Sequence, residues 1–285
     1  MKLPDFEYRL PATLQEAVAL LASGSGNAKI ISGGQSLLPM MAYRVVLPRM
    51  LIDLRKIPNL DRIDCGATVT LGARVTWTAI ERHQRLRTEH PLLWETVRHI
   101  AHYQIRNRGT TGGSLAHADP AAEFPAVALG CDATVNVVGL AGPRTIPLSK
   151  FFVAPLVTTL DENEIITSIA FPAWKQGRRF GFREFARRQG DFALAGAVAQ
   201  FDLDANGRIR DCSITGFGLG DTPLRIGEVE AFLEGREMTH AHLERASQLG
   251  AASVEVHSDA QADADYRRAL FETMLLRALT TAAAD

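Results

Sequence analysis

Apolar positions along this chain follow two rhythms. Residues 6–10 alternate apolar and polar, as a short strand does. Thr13, followed by Leu14-Gln15-Glu16, forms a capping box that opens a helix over 14–22, and Gly24 closes it. Residues 28–31 and 50–54 are short apolar runs that read as buried strands. Residues 69–71 and the segment before them read as a hairpin. Helices are predicted at 76–86 and 91–101, the second with Pro91 in its first turn, where proline is tolerated. A short helix at 123–129 and strands at 133–138, 144–147 and 165–171 follow.

Beyond the polar stretch that Trp174 opens, the order of elements changes. Residues 181–187, 193–203 and 208–218 read as antiparallel strands, with Asn206-Gly207 as a hairpin turn between the last two. Helices are then predicted at 225–234, 240–251 and 265–281. In the last, Tyr266, Leu270, Met274 and Leu279 fall on one side, as in an amphipathic surface helix. Strands grouped before helices predict an α+β fold, with a domain boundary in 174–179.

Composition narrows the function. The 285 residues are 46% hydrophobic and 22% charged, and 31 basic residues face 32 acidic ones. That balance gives no support to a nucleic-acid surface or a membrane-binding basic patch. No apolar run reaches the ~20 residues of a membrane span, and the charged first ten residues are unlike a signal peptide. A cytoplasmic protein is expected. Cys65, Cys131 and Cys212 lie far apart, and none belongs to a C-x-x-C. Three cysteines fall short of the four an iron–sulfur cluster takes, so neither a metal site nor a disulfide framework is predicted. No Ser/His/Asp arrangement or paired-carboxylate pattern stands out, so no catalytic residue is assigned.

Two glycine pairs carry the chemical signal. Ser32-Gly33-Gly34-Gln35-Ser36-Leu37-Leu38-Pro39 follows the apolar Ile30 and Ile31, and Thr110-Thr111-Gly112-Gly113-Ser114 precedes Leu115 to Pro120. Glycine reaches φ > 0 and lets N–H groups converge into an anion-binding nest. Two such loops suit the two phosphates of a dinucleotide, whereas either alone reads as a turn. Neither matches G-x-G-x-x-G or the P-loop.

Four segments resemble one family in order and spacing. Gly33–Pro39 is similar to its A-G-G-x-S-L-L-P loop. Gln104-Ile105-Arg106-Asn107-Arg108-Gly109 and the residues to Ser114 resemble Q-I-R-N-x-G-T-x-G-G-N/S. Asp119-Pro120-Ala121-Ala122-Glu123 resembles D-P-A-A-D/E, and Arg187-Arg188-Gln189-Gly190-Asp191-Phe192-Ala193 resembles R-R-x-x-D-x-A. The family is that of the FAD-binding medium subunits of molybdenum hydroxylases, which includes xanthine dehydrogenase and aerobic carbon monoxide dehydrogenase.

The resemblance implies a PCMH-type FAD-binding domain of two subdomains over 1–174, with a break near 55–60. A smaller C-terminal α+β domain with an antiparallel sheet and helices would follow over 179–285. It implies non-covalent FAD, held by Ile30, Ile31, Ser32, Gly33, Gly34, Gln35, Ser36 and Leu37 from the first loop. Ile105, Thr110, Thr111, Gly112, Gly113 and Ser114 would contribute from the second. Ile100, Glu123, Ile166, Arg183 and Phe192 complete the implied set, with Glu123 at the sugar or adenine end. Phe192 stands where some members place a tyrosine over the flavin ring. Arg183 and Glu184 stand where relatives often carry a lysine. Molybdopterin and two-iron–two-sulfur clusters are expected on partner chains, in a dimer of heterotrimers, with electrons passing through FAD to an external acceptor. A self-contained flavin oxidoreductase and a non-catalytic assembly module are the alternatives.

Overall fold

The computed structural model describes residues 2–284. The chain opens with β1 (Glu7–Arg9), α1 (Leu14–Ser23), β2 (Ala28–Ile31), α2 (Leu37–Ala42) and β3 (Met50–Asp53). The three strands form a parallel sheet in the order β1-β3-β2, with Ile31 opposite Asp53. The predicted cap forms with its return bond shifted by one residue: Thr13 accepts the Glu16 N–H, and Glu16 reaches past Thr13 to accept the Ala12 N–H. Ala17, Val18 and Leu21 of α1 then cover Ala28 and Ile52 of the sheet.

The next stretch holds β4 (Ile63–Cys65), β5 (Thr68–Gly72), the short helices α3 (Trp77–Arg82), α4 (Leu86–Glu89), α5 (Pro91–Thr96), α6 (Tyr103–Arg106) and α7 (Thr111–His117), and then α8 (Glu123–Gly130). It continues through β6 (Thr134–Gly139), β7 (Gly142–Pro147), the small hairpin β8 (Phe152–Ala154) and β9 (Val157–Thr158), and β10 (Ile165–Pro172). An antiparallel sheet results, ordered β4-β5-β10-β6-β7. A bulge between Ile166 and Ser168 interrupts the β10–β6 ladder, and Thr167 accepts the Ala73 N–H at 2.9 Å.

The remainder forms β11 (Arg179–Phe185), β12 (Ala195–Leu203), β13 (Ile209–Phe217), β14 (Leu224–Arg225), α9 (Gly227–Leu233), α10 (His240–Ser253) and α11 (Ala264–Ala284). The sheet β11-β12-β13-β14 is antiparallel and is covered on one face by α11. The whole is the expected α+β arrangement.

Several expectations need correction. The helix predicted over 76–86 is two, because His83 is extended (ψ 102°). The one predicted over 91–101 stops at Thr96, and Ala101 adopts φ 45°. The second glycine segment is not a loop: Thr110 caps α7 by accepting the Gly113 N–H. In α11 the buried stripe is Arg267, Phe271, Met274, Leu275, Ala278, Leu279 and Ala282, so Tyr266 lies outside it, half exposed. The stripe is rotated because a buried Arg267 donates to the carbonyls of Leu194 and Gly218, anchoring the helix through a charge.

Every residue of α8 is buried. Its first half packs in a core with Trp77 and Phe171 (Phe124 against both rings), and its last carbonyl, at Gly130, accepts hydrogen bonds from Gln200 and Ser213. Phe182, Val198 and Phe217 of the second sheet belong to that same core. One core therefore spans both halves of the chain, with α8 inside it.

Candidate functional site

The first glycine segment leaves the C-terminal end of β2, the side of a parallel sheet where open α/β arrangements bind ligands. The backbone N–H groups of Gly33, Gly34, Gln35, Ser36 and Leu37 make no hydrogen bond within the protein among the described residues. Five consecutive free donors on a tight turn form a ready anion cradle. Only Gly34 of the four motif glycines has φ in the left-handed region, at 74°.

The other three are glycine for a different reason. A Cβ on Gly33 would collide with the Arg108 carbonyl oxygen, and one on Gly112 would lie 2.6 Å from the Ala73 Cβ. A Cβ on Gly113 would lie 2.8 Å from Thr110 Oγ1. Gly33 and Gly112 let backbones approach closely, and Gly113 makes room for the Thr110 hydroxyl. The two segments meet: Thr110 Oγ1 donates to Ser32 Oγ at 3.0 Å, and Gly33 rests on the Arg108–Gly109 backbone. Gly109 in turn is pressed on Trp77.

The second segment is not a second nest. The Thr111 N–H goes to Val75, Gly112 to Ala73, Gly113 to Thr110 Oγ1 and Ser114 to the Thr110 carbonyl. Thr111 Oγ1 donates to Gly72. The first N–H groups of α7 are thus all bonded, two to Ala73 and Val75 just beyond β5 and two to Thr110, and the segment braces the first one instead of offering free donors.

The remaining expected residues divide. Ile100 and Ile166 are buried in the main core, and Ile31 is buried under the first segment. Ile30 and Ile105 are partly buried. Glu123, at the start of α8, is 4% exposed and bonds no other side chain. Burial, and secondarily the charge of Glu184, push its carboxyl up to about 8. Glu184 is thus the acid nearest in influence to Glu123, beside the R-R-Q-G loop. Phe192 is 53% exposed on that loop.

Arg183 does not face this region. Side chains alternate along β11: Phe182 joins the main core, while Gly181 abuts the Ala278 carbonyl and Phe185 packs against the α11 side. Arg183 shares the face of Gly181 and Phe185. Glu184 points the other way, into a cleft of about 600 Å³ that it lines with Glu81, Glu95, His99, Arg106 and Arg188. Sequence reasoning assigned no role to His99, Glu95 or Glu81; the only signal was the alternation within β11.

These features fit FAD: free donors for a pyrophosphate, a buried carboxyl without a partner side chain, and apolar walls. A family model described as FAD binding domain in molybdopterin dehydrogenase matches residues 4–174. One described as CO dehydrogenase flavoprotein C-terminal domain matches residues 180–282. The nicotine 6-hydroxylase medium subunit of Paenarthrobacter nicotinovorans is 41% identical over 285 residues, 100% of this chain and 99% of that one. Carbon monoxide dehydrogenase from Hydrogenophaga pseudoflava has TM-score 0.96 at 36% identity, covering 100% of this chain and 99% of that chain. Quinoline 2-oxidoreductase from Pseudomonas putida 86 has TM-score 0.94 at 33% identity, with the same coverage. Fold and site together define an FAD-binding oxidoreductase subunit. The chain belongs to the family of FAD-binding medium subunits of molybdenum hydroxylases.

Proposed function

We propose that this subunit carries electrons from iron–sulfur clusters on a partner chain, through FAD, to an external acceptor. The run of free N–H groups from Gly33 to Leu37 carries the reading. In this reading Ser32 to Leu37 hold the pyrophosphate, and Thr110 to Ser114 fix the shape of that turn. Ile100 and Ile166 form apolar walls, Glu123 offers a buried carboxyl, and Phe192 lies near the ring. The division of labour follows residues 1–174 for FAD and 179–285 as the C-terminal unit. FAD supplies the redox chemistry, and the protein supplies position, exclusion of water and electrostatics.

Partners would be a molybdopterin chain that oxidises the substrate and a two-iron–two-sulfur chain, assembled as a dimer of heterotrimers in the cytoplasm. Among the described residues no helix is long and apolar enough to cross a membrane.

The test is stopped-flow bleaching of the FAD-loaded chain by candidate N-heterocyclic and aldehyde substrates, alone and with its partners. Fast bleaching is expected only with both partners present. Rapid bleaching of the chain alone would favour a self-contained flavin oxidoreductase, and a chain that takes up no FAD would point to an assembly module.

A further inference from the structure

Arg106 stands in the Q-I-R-N segment, two residues before the backbone on which Gly33 rests. A cation there suggests a phosphate ligand, yet its guanidinium is spent on the protein. Nη1 donates to two successive carbonyls, Ile100 at 3.2 Å and Ala101 at 2.9 Å, and Nε lies 3.5 Å from Glu81 Oε2 of α3. The side chain is 16% exposed. Ala101 adopts φ 45°, a conformation that a side chain disfavours, so something must hold it. A charged donor shared by both carbonyls does so.

Two parts of the site meet this braced turn from opposite ends. At one end, the N–H groups of Arg108 and Gly109 return to the Ile105 carbonyl at 3.0 and 2.7 Å, which ties the seat of Gly33 to α6. At the other, the loop after β11 rests on the turn. A Cβ on Gly190 would lie 2.6 Å from the His102 ring and 3.1 Å from the Ala101 carbonyl carbon, so no space separates the two. That loop is closed at its base by the Leu194 N–H on the Phe185 carbonyl at 2.8 Å, and Phe192 lies on it, half exposed.

We propose that Arg106 is a positioning residue: by fixing the turn at 100–102 it sets the separation between the anion cradle and the Phe192 loop. This rests on the FAD reading above, with the pyrophosphate on Ser32 to Leu37 and Phe192 near the ring. A cofactor gripped at its pyrophosphate presents its ring at a limited distance, and a misplacement of about 1 Å is enough to lose a productive arrangement. Without the guanidinium, two carbonyls lose their donor and Ala101 is free to leave its left-handed conformation. The surface that supports Gly190 then moves, and Phe192 moves with it. The cradle keeps its seat, because the Arg108 and Gly109 bonds to Ile105 do not involve the Arg106 side chain.

The experiment uses the FAD-loaded full chain. Flavin content, and the rate at which photoreduced flavin is reoxidised by dissolved oxygen, are measured for wild type, Arg106→Ala, Phe192→Ala and the double variant. Arg106→Ala is expected to keep its flavin and to change the rate roughly tenfold, in the same direction as Phe192→Ala. The double variant should match Phe192→Ala, because a residue that acts through another adds nothing once that other is gone. Guanidinium ion, kept well below its unfolding range, should restore Arg106→Ala and leave the double variant unchanged, a pattern that a merely structural role would not give. Gly190→Ala presses on the same contact from the loop side; it should reproduce the Arg106→Ala rate, and it carries the test if Arg106→Ala does not fold. A wild-type rate in Arg106→Ala or Gly190→Ala, effects that multiply in the double variant, or a change that guanidinium does not reverse overturns the proposal and leaves the FAD reading standing. A wild-type chain that takes up no FAD overturns both, and a wild-type rate in Phe192→Ala overturns the placement of Phe192 and the proposal with it.

Discussion

Substituting Gly33 by alanine tests the central geometric claim, that two backbones touch beneath the anion cradle. The new Cβ would collide with the Arg108 carbonyl oxygen and crowd Gly109 Cα, so a backbone has to move. Forced overpacking of this kind costs about 1–3 kcal/mol. If the strain is relieved by parting the two segments, the free donors of residues 33–37 lose the arrangement proposed to hold the phosphates. A loss of about 2 kcal/mol corresponds to roughly 30-fold weaker FAD binding. Gly34→Ala is the control. Its φ of 74° also disfavours a side chain, at about 1–2 kcal/mol, but its neighbours are the flexible tips of Leu38 and Ile31 at 3.1 and 3.3 Å. Quenching of FAD fluorescence on titration with apoprotein gives the affinity, and urea unfolding of the same samples gives the stability. Gly33→Ala should lose more affinity than Gly34→Ala at comparable stability. A Gly33→Ala protein with wild-type affinity and an unchanged urea midpoint would refute the contact. Valine at either Gly33 or Gly112 is a poor probe, since a larger side chain against Arg108 or Ala73 threatens the fold itself.

Two further outcomes follow from the site. Phe192→Ala should weaken FAD binding by no more than about fivefold yet alter the rate of flavin reoxidation by roughly tenfold, because the proposed pyrophosphate grip lies in residues 32–37 and one aromatic stack contributes about 1 kcal/mol; a variant that simply loses FAD would contradict this. The apoprotein should lose stability as pH rises from about 4.5 toward 8, because the folded state holds the Glu123 proton that the unfolded state releases. Glu123→Gln should flatten that slope by an amount on the order of 3 kcal/mol, read from urea midpoints at pH 5 and pH 8. An identical slope in the variant would show that Glu123 is ionised in the fold.

What the sequence revealed of the site depended on which force each residue serves. The helix cap at Thr13 and the Asn206-Gly207 turn are local chemistry, and both formed where pattern placed them. The Gly33-Gly34 pair was legible as a turn with free donors, because φ and N–H direction are local properties. Gly112 and Gly113 looked alike in sequence but proved different. Their donors are taken by Ala73 and Thr110, and Gly112 itself is dictated by Ala73, a residue nearly forty positions away. Arg183 was drawn into the site by its position in a motif. The pleat of β11 turns it toward α11 and puts Glu184 in its place, a choice fixed by Gly181 against Ala278. The rotation of α11 by one residue has the same origin, since a buried Arg267 outweighs the apolar stripe that includes Tyr266.

The position of α8 explains why the flavin region and the C-terminal half form one mechanical unit. Its N-terminal residue is the buried Glu123, and its C-terminal carbonyl is bonded by β12 and β13. The turn before it is held from the same side, as Pro120 accepts the Gly218 N–H at 2.8 Å. Gly190, with φ 86°, brings the R-R-Q-G loop against the His102 ring, so that loop also leans on the first half. A shift of the C-terminal sheet would therefore drag the start of α8 and the cleft wall together. Two rigid links and a shared core hold the acid at position 123 and the acid at 184 in fixed relation, although 61 positions separate them in sequence. A carboxyl kept protonated by burial needs that rigidity, because a small opening that admitted water would return it to its ordinary range.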